Sequence, residues 1–178
     1  MRSLAIADLA QQIPTLKAGD ELLLTGTLFT ARDAAHKRLA QLIAEGKPLP
    51  IDLATTVIYY CGPAPARPGD PVGPCGPTTS TRMDPYTPKL LSLGVKATVG
   101  KGKRAPAVAA ACREHQAIYC VATGGVAALL AQRVKRSEIV AFPDLGPEAI
   151  WRFEVEDTKF TGRAVPIQQR APLRRSTD

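Results

Sequence analysis

At 178 residues, with 45% apolar and 22% charged positions, the chain is long enough to bury a sizeable core. It has the composition of one soluble globular domain with room for a small appendage, and no apolar run is long enough to span a membrane. Its 23 basic and 16 acidic residues give a net charge of +7; the basic residues are scattered and no aromatics interleave with them as a stacking platform, which argues against nucleic acid and for a field that draws small anions.

Residues 1–20 read as a lead-in, with turns marked by Pro14, Lys17, Gly19 and Asp20. Residues 21–29 read as a strand in which Leu22, Leu24 and Leu28 alternate with Thr25 and Thr27. Thr30 is expected to cap the next helix, with Asp33 as a capping-box acid three residues on. Leu39, Leu42 and Ile43 supply that helix's apolar stripe, Gly46 ends it and Pro48 prevents its resumption. Arg32 falls in the first turn, where the helix dipole disfavours a cation by a few tenths of a kcal/mol. A bound anion would remove the conflict, and so would solvation or a surface ion pair.

The run Val57-Ile58-Tyr59-Tyr60 suits a strand that breaks at Cys61-Gly62-Pro63. The Gly- and Pro-rich loop 63–77 is too long for an idle connection. It delivers the chain to four consecutive hydroxyl residues, Thr78, Thr79, Ser80 and Thr81, followed by Arg82. Such a run has no apolar face, so it reads as a rigid loop presenting donors, or as an ordinary Ser/Thr-rich turn before a helix. Thr78, Thr79 and Arg82 together suit a carboxylate, because arginine grips carboxylate with two parallel bonds and hydroxyls add directed ones. Asp84 is expected as N-cap and Pro85 at the first position of a helix that runs to about Leu93 and stops at Gly94.

Residues 95–100 form a short predicted strand that ends in the basic glycine loop Lys101-Gly102-Lys103-Arg104. In an open α/β sheet that is a good anion position. Pro106 starts a helix through Glu114, and 117–122 is a buried-looking strand. Thr123-Gly124-Gly125 then opens a helix over 126–134. The order matches a phosphate cradle but lacks the full fingerprint, and close helix–strand packing explains the glycines as well. Residues 138–142 read as a strand, 143–147 as a turn, and 150–155 and 162–167 as a final strand pair. Residues 168–178 are polar without an apolar pattern and are expected to be a disordered tail. Strand–helix alternation between β segments implies an α/β domain over 1–167 with a mixed, partly parallel sheet.

The cysteines, Cys61, Cys75, Cys112 and Cys120, include no Cys-x-x-Cys pair, which argues against a zinc ribbon or redox dithiol. Cys112-x-x-His115 is the nearest approach to a metal spacing, and it lies in an alanine-rich helical stretch where packing explains it. Asp8 interrupts the only early apolar run, so no secretory leader is expected and a reduced, cytoplasmic setting follows.

Several segments, taken together, resemble a known family. They are Gly-Thr-Leu-Phe-Thr-Ala-Arg-Asp-Ala-Ala-His-Lys (26–37), Tyr-Tyr-Cys-Gly-Pro-Ala-Pro (59–65), Gly-Pro-Thr-Thr-Ser-Thr-Arg-Met-Asp (76–84), Gly-Lys-Gly (100–102), Ala-Thr-Gly-Gly (122–125) and Asp-Leu-Gly-Pro-Glu-Ala (144–149). The order and motifs are similar to the β subunit of two-subunit iron–sulfur hydro-lyases, the class I fumarases and L-tartrate dehydratases, whose single-chain relatives carry the same unit at the C-terminus. The resemblance implies a swivelling β/β/α domain. It implies that Thr78 takes part in proton transfer at carbon, and that Arg32, Thr79, Arg82 and Lys101 bind a small dicarboxylate. It also implies a 4Fe-4S cluster carried by a partner α subunit, none being bound by this chain alone, and a heterotetramer with that subunit or a homodimer without it. Two positions depart from the family: Thr81, usually glycine or alanine, where a β-branched residue would resist a positive φ, and Cys75, usually a small residue. Fumarate hydratase is the expected activity. The alternatives are the L-tartrate dehydratase β subunit and a stand-alone carboxylate- or RNA-binding domain.

Overall fold

A computed structural model describes residues 1–122 and 127–162. In chain order the elements are β1 (Arg2–Ala5), α1 (Leu9–Gln12), β2 (Glu21–Thr30), α2 (Asp33–Ala44), β3 (Val57–Tyr59), α3 (Thr87–Ser92), β4 (Ala97–Gly100), α4 (Pro106–Glu114), β5 (Ile118–Val121), α5 (Ala127–Ala131), β6 (Val134–Ala141) and β7 (Ile150–Gly162). The seven strands form one mixed sheet in the order β1-β2-β3-β4-β5-β7-β6. Strands β1 to β5 pair in parallel, while β7 runs antiparallel to β2, β5 and β6. Because β7 pairs with both β5 and β2, the pairings β2–β3–β4–β5–β7–β2 close into a ring.

The two-residue repeat of the strands sorts side chains to two cores. Val57 and Tyr59, Ala97 and Val99, and Ile118 and Cys120 point inward with Leu22, Leu24, Leu28, Phe153 and Phe160. Ile58 and Tyr60 lie on the opposite face, under Ala35 and Leu39 of α2, Leu90 and Leu91 of α3 and Val108 and Cys112 of α4. Each fully buried leucine contributes about 1.5–3 kcal/mol of transfer free energy.

Several local expectations are corrected. The lead-in contains β1, which adds in parallel to the first half of β2. Thr30 ends β2 and does not cap α2: its hydroxyl accepts the Trp151 N–H at 3.2 Å, and Arg32 occupies the N-cap position. Asp84 does not cap its own helix, because a 3₁₀ turn at Ser80–Met83 precedes it and α3 starts only at Thr87. Its carboxylate is engaged by Arg104 Nε at 2.6 Å and by the Ala105 N–H at 2.7 Å, one residue ahead of α4. The predicted helix 126–134 is cut short at Ala131, and Val134 belongs to β6. The predicted strand 150–155 is part of β7, which continues through Gly162, and residues 163–167 of its predicted partner strand lie outside the described residues. Thr81 sits in the 3₁₀ turn and is absent from the residues with positive φ, so its β-branch meets no conflict. Thr123-Gly124-Gly125 and the tail 168–178 lie outside the described residues.

Candidate active site

The parallel strands β2, β3 and β4 are neighbours, and their carboxyl ends face the same way. Arg32 follows β2 by two residues and Lys101 directly follows β4. Between them, the chain leaving β3 receives the hydroxyl run: the Thr78 N–H donates to the Tyr60 carbonyl at 2.6 Å. An isolated parallel bridge pairs Thr79 with Lys101. In it the Ser80 N–H donates to the Lys101 carbonyl at 2.9 Å and the Lys101 N–H to the Thr78 carbonyl at 3.2 Å. Arg32, Thr78, Thr79 and Lys101 therefore share the carboxyl edge of three adjacent parallel strands.

Arg82 reaches the same edge from the 3₁₀ turn, and its Nε donates to Asp33 Oδ1 at 2.9 Å. Arg32 lies 3.2 Å from Glu148 Oε1, on the turn Pro143–Glu148 that precedes β7. Its Nε and Asp33 Oδ2 are both buried without a hydrogen-bond partner. A buried donor and a buried acceptor, one residue apart and each unpaired, mark where the packing leaves room for polar partners. Gly62 permits this approach of Arg32, because a Cβ there would lie 2.9 Å from the Pro147 carbonyl and 3.1 Å from Arg32 Cδ. Lys101 is exposed and makes no ion pair among the described residues. Thr79 is exposed and Thr78 half-buried. No direct bond joins the side chains of Arg32, Thr78 and Lys101; what they share is the sheet edge.

Sequence reasoning missed Glu148, and it read Asp33 and Asp84 as caps. It also missed the role of Arg104. It saw Arg104 only as part of the basic glycine loop Lys101-Gly102-Lys103-Arg104. The thiols do not fit a cluster. All four cysteines are buried, burial pushes Cys75 and Cys120 up to about 12 and Cys112 to about 11, and no group of three potential metal ligands occurs among the described residues. The described residues bring no three such ligands together, so they offer no place for a cluster. Among the described residues, no helix is long and apolar enough to cross a membrane.

The family model for the fumarase C-terminus matches residues 2–162. The chain belongs to the fumarase C-terminus family. This fumarase C-terminal chain is 44% identical over 152 residues to the anaerobic class I fumarate hydratase of Escherichia coli K12, covering 84% of this chain and 28% of that protein. It is 42% identical over 149 residues to fumarate hydratase 2 of Leishmania major, covering 83% and 26%. The L(+)-tartrate dehydratase subunit beta of E. coli K12 is 36% identical over 152 residues, covering 83% of this chain and 74% of the subunit. The chain thus spans about a quarter of the fumarate hydratases it matches and about three quarters of the β subunit. The hydroxyl run, the Arg32 helix start and the Lys101 loop all fall inside the matched segment.

Proposed function

We propose that this chain is the β-type part of an iron–sulfur hydro-lyase, with fumarate hydratase as its activity: reversible addition of water to fumarate to give malate. The observation that carries the reading is the convergence of Arg32, the Thr78–Arg82 segment and Lys101 on one edge of the sheet. Adding or removing water next to a carboxylate builds an aci-carboxylate dianion at carbon, and such charge needs fixed donors. In this reading Arg32, Arg82 and Lys101 hold the two carboxylates, Thr79 adds a hydroxyl donor and Thr78 moves the proton at carbon. A threonine hydroxyl has a very high intrinsic pKa, so Thr78 acts only beside those cations. The 4Fe-4S cluster belongs to a separate α-type partner, which docks over the exposed donors; the pair forms a cytoplasmic heterotetramer, and residues 1–167 are the unit that docks.

The second reading, an L-tartrate dehydratase β subunit, draws support from the share of such a subunit that the chain matches. Co-expression with a cluster-bearing α-type chain, followed by turnover assays with fumarate, malate, tartrate and mesaconate, separates them. Fumarate and malate interconversion is expected. Tartrate turnover alone would favour the second reading. A pair that elutes separately on size exclusion and turns over neither substrate defeats both.

A further inference from the structure

We propose that Arg104 is a positioning residue: its buried guanidinium, together with a Ser80–Tyr119–Gly102 hydroxyl relay, clamps the segment carrying Thr78, Thr79 and Arg82 against the loop carrying Lys101. The functional consequence rests on the site reading above; the clamp itself does not.

The Arg104 side chain is only 3% exposed. A buried guanidinium is tolerated only where it is paired and its N–H groups are satisfied. Arg104 Nε donates to Asp84 Oδ1 at 2.6 Å, Nη1 to Thr98 Oγ1 at 3.1 Å, and Nη2 to Thr87 Oγ1 at 2.7 Å and Tyr60 Oη at 3.3 Å. Its charge lies over the Tyr60 ring at 5.2 Å and the Tyr119 ring at 4.9 Å. These partners are set by the sheet register. Thr98 pairs with both Ile58 and Tyr119, so Tyr60, Thr98 and Tyr119 line the helix-side face of β3, β4 and β5. The donor directions are consistent. The Thr87 hydroxyl donates to the Met83 carbonyl at 2.9 Å, which leaves its oxygen to accept from Arg104.

The relay runs beside this cluster. Tyr119 Oη donates to the Gly102 carbonyl at 3.0 Å, so its oxygen accepts from Ser80 Oγ at 2.9 Å. Ser80 reaches it only because Gly100 has no side chain: a Cβ there would lie 2.1 Å from Ser80 Oγ. Against this, the backbone offers the bridge one isolated register position. One position is too little to fix two loops, so the side chains supply the rest. A buried charged pair between the turn ahead of α3 and the loop ahead of α4 is also a poor route to stability, since apolar side chains would pack there at least as well. Its placement between the two donor-bearing loops accounts for it as a device for register.

The primary test uses Tyr119→Phe, which keeps the ring and removes only the relay, with Arg104→Lys as the stronger lesion. Amide exchange of the full chain, read by NMR, should quicken at least tenfold at Ser80 and Lys101, with the Val57–Tyr59 amides unchanged. In complex with the α-type partner, kcat/KM should fall about tenfold in Tyr119→Phe. A core variant chosen for an equal drop in melting temperature, such as Ile13→Val, should retain near wild-type kcat/KM. Wild-type exchange at Ser80 and Lys101 in Tyr119→Phe overturns the clamp. So does an activity loss equal to that of the matched core variant. If exchange responds as expected but the wild-type pair turns over no dicarboxylate, the clamp stands and the site reading fails.

Discussion

Arg82 Nε donates to Asp33 Oδ1, tying the donor segment to the first turn of α2 through one bond and leaving the terminal guanidinium nitrogens without a hydrogen-bond partner among the described residues. The fork is thereby aimed and still available to grip a carboxylate with two parallel bonds. Lysine offers a point charge and cannot keep both contacts. Arg82→Lys should lose about 1.5–3 kcal/mol of transition-state binding, roughly ten- to a hundred-fold in kcat/KM. The melting temperature should hold, since the side chain is half exposed. Asp33→Ala should weaken binding in the same direction, because the guanidinium is then unaimed, while Asp33→Asn keeps an acceptor and costs less. Steady-state kinetics on the complex with the α-type partner checks all three.

Thr78→Ala should behave differently. A group that acts on the proton at carbon matters mainly in the transition state, so kcat should fall while KM holds. The Thr78 backbone bond to the Tyr60 carbonyl survives the change, and so should the fold. A variant altered only in KM would assign Thr78 to binding instead.

Gly100→Ala should damage both stability and activity. The added Cβ would meet Ser80 Oγ at 2.1 Å and the Tyr60 ring at 2.8 Å, neither on a long flexible arm. Overpacking of this kind costs about 1–3 kcal/mol, and a domain of this size loses about 2–4 °C per kcal/mol. Thermal melts should therefore drop by roughly 2–12 °C, with kcat/KM falling further than a matched core lesion would explain.

His36 makes stability depend on pH. It is fully buried on α2, its Nδ1 bonds the Arg32 carbonyl at 2.8 Å, and burial lowers its pKa to about 4. The unfolded chain takes up this proton near pH 6.5 and the folded chain only near 4. The stabilisation is therefore fully present above pH 6.5 and is lost progressively as pH falls toward 4, about 2–4 kcal/mol in all. Urea titrations across that window should show the slope, and His36→Leu should flatten it.

The short-range patterns were readable: Leu22, Leu24 and Leu28 announced β2, and Pro106 with Glu114 bounded α4 as found. The two misread caps share a cause: each side chain's partner lies far away in sequence. Thr30 looked like a cap because its acceptance from Trp151, 121 residues on, leaves no local trace. Asp84-Pro85 looked like a helix start because Arg104 was invisible as its partner. The predicted strand 150–155 stops short of Glu156, whereas β7 runs on through Asp157 despite that residue's positive φ of 46°. In the site, the hydroxyl run and the cations were readable as chemistry. Their anchors, Asp33, Glu148 and Tyr119, were not, because each reaches its partner across tens of residues.

The ring closed by β7 also constrains how the chain acquires its structure. β7 contributes Phe153, Val155 and Phe160 to the inner core and pairs along the whole of β2, from Glu21 with Thr161 to Thr30 with Trp151. Until residues near 162 leave the ribosome, β2 has an open edge and the inner core has one wall missing. Closure is a long-range event of high loop entropy, which makes folding slow. The β2 edge left unpaired until then is open to pairing with another chain, so low temperature and slow synthesis should raise the yield of native protein.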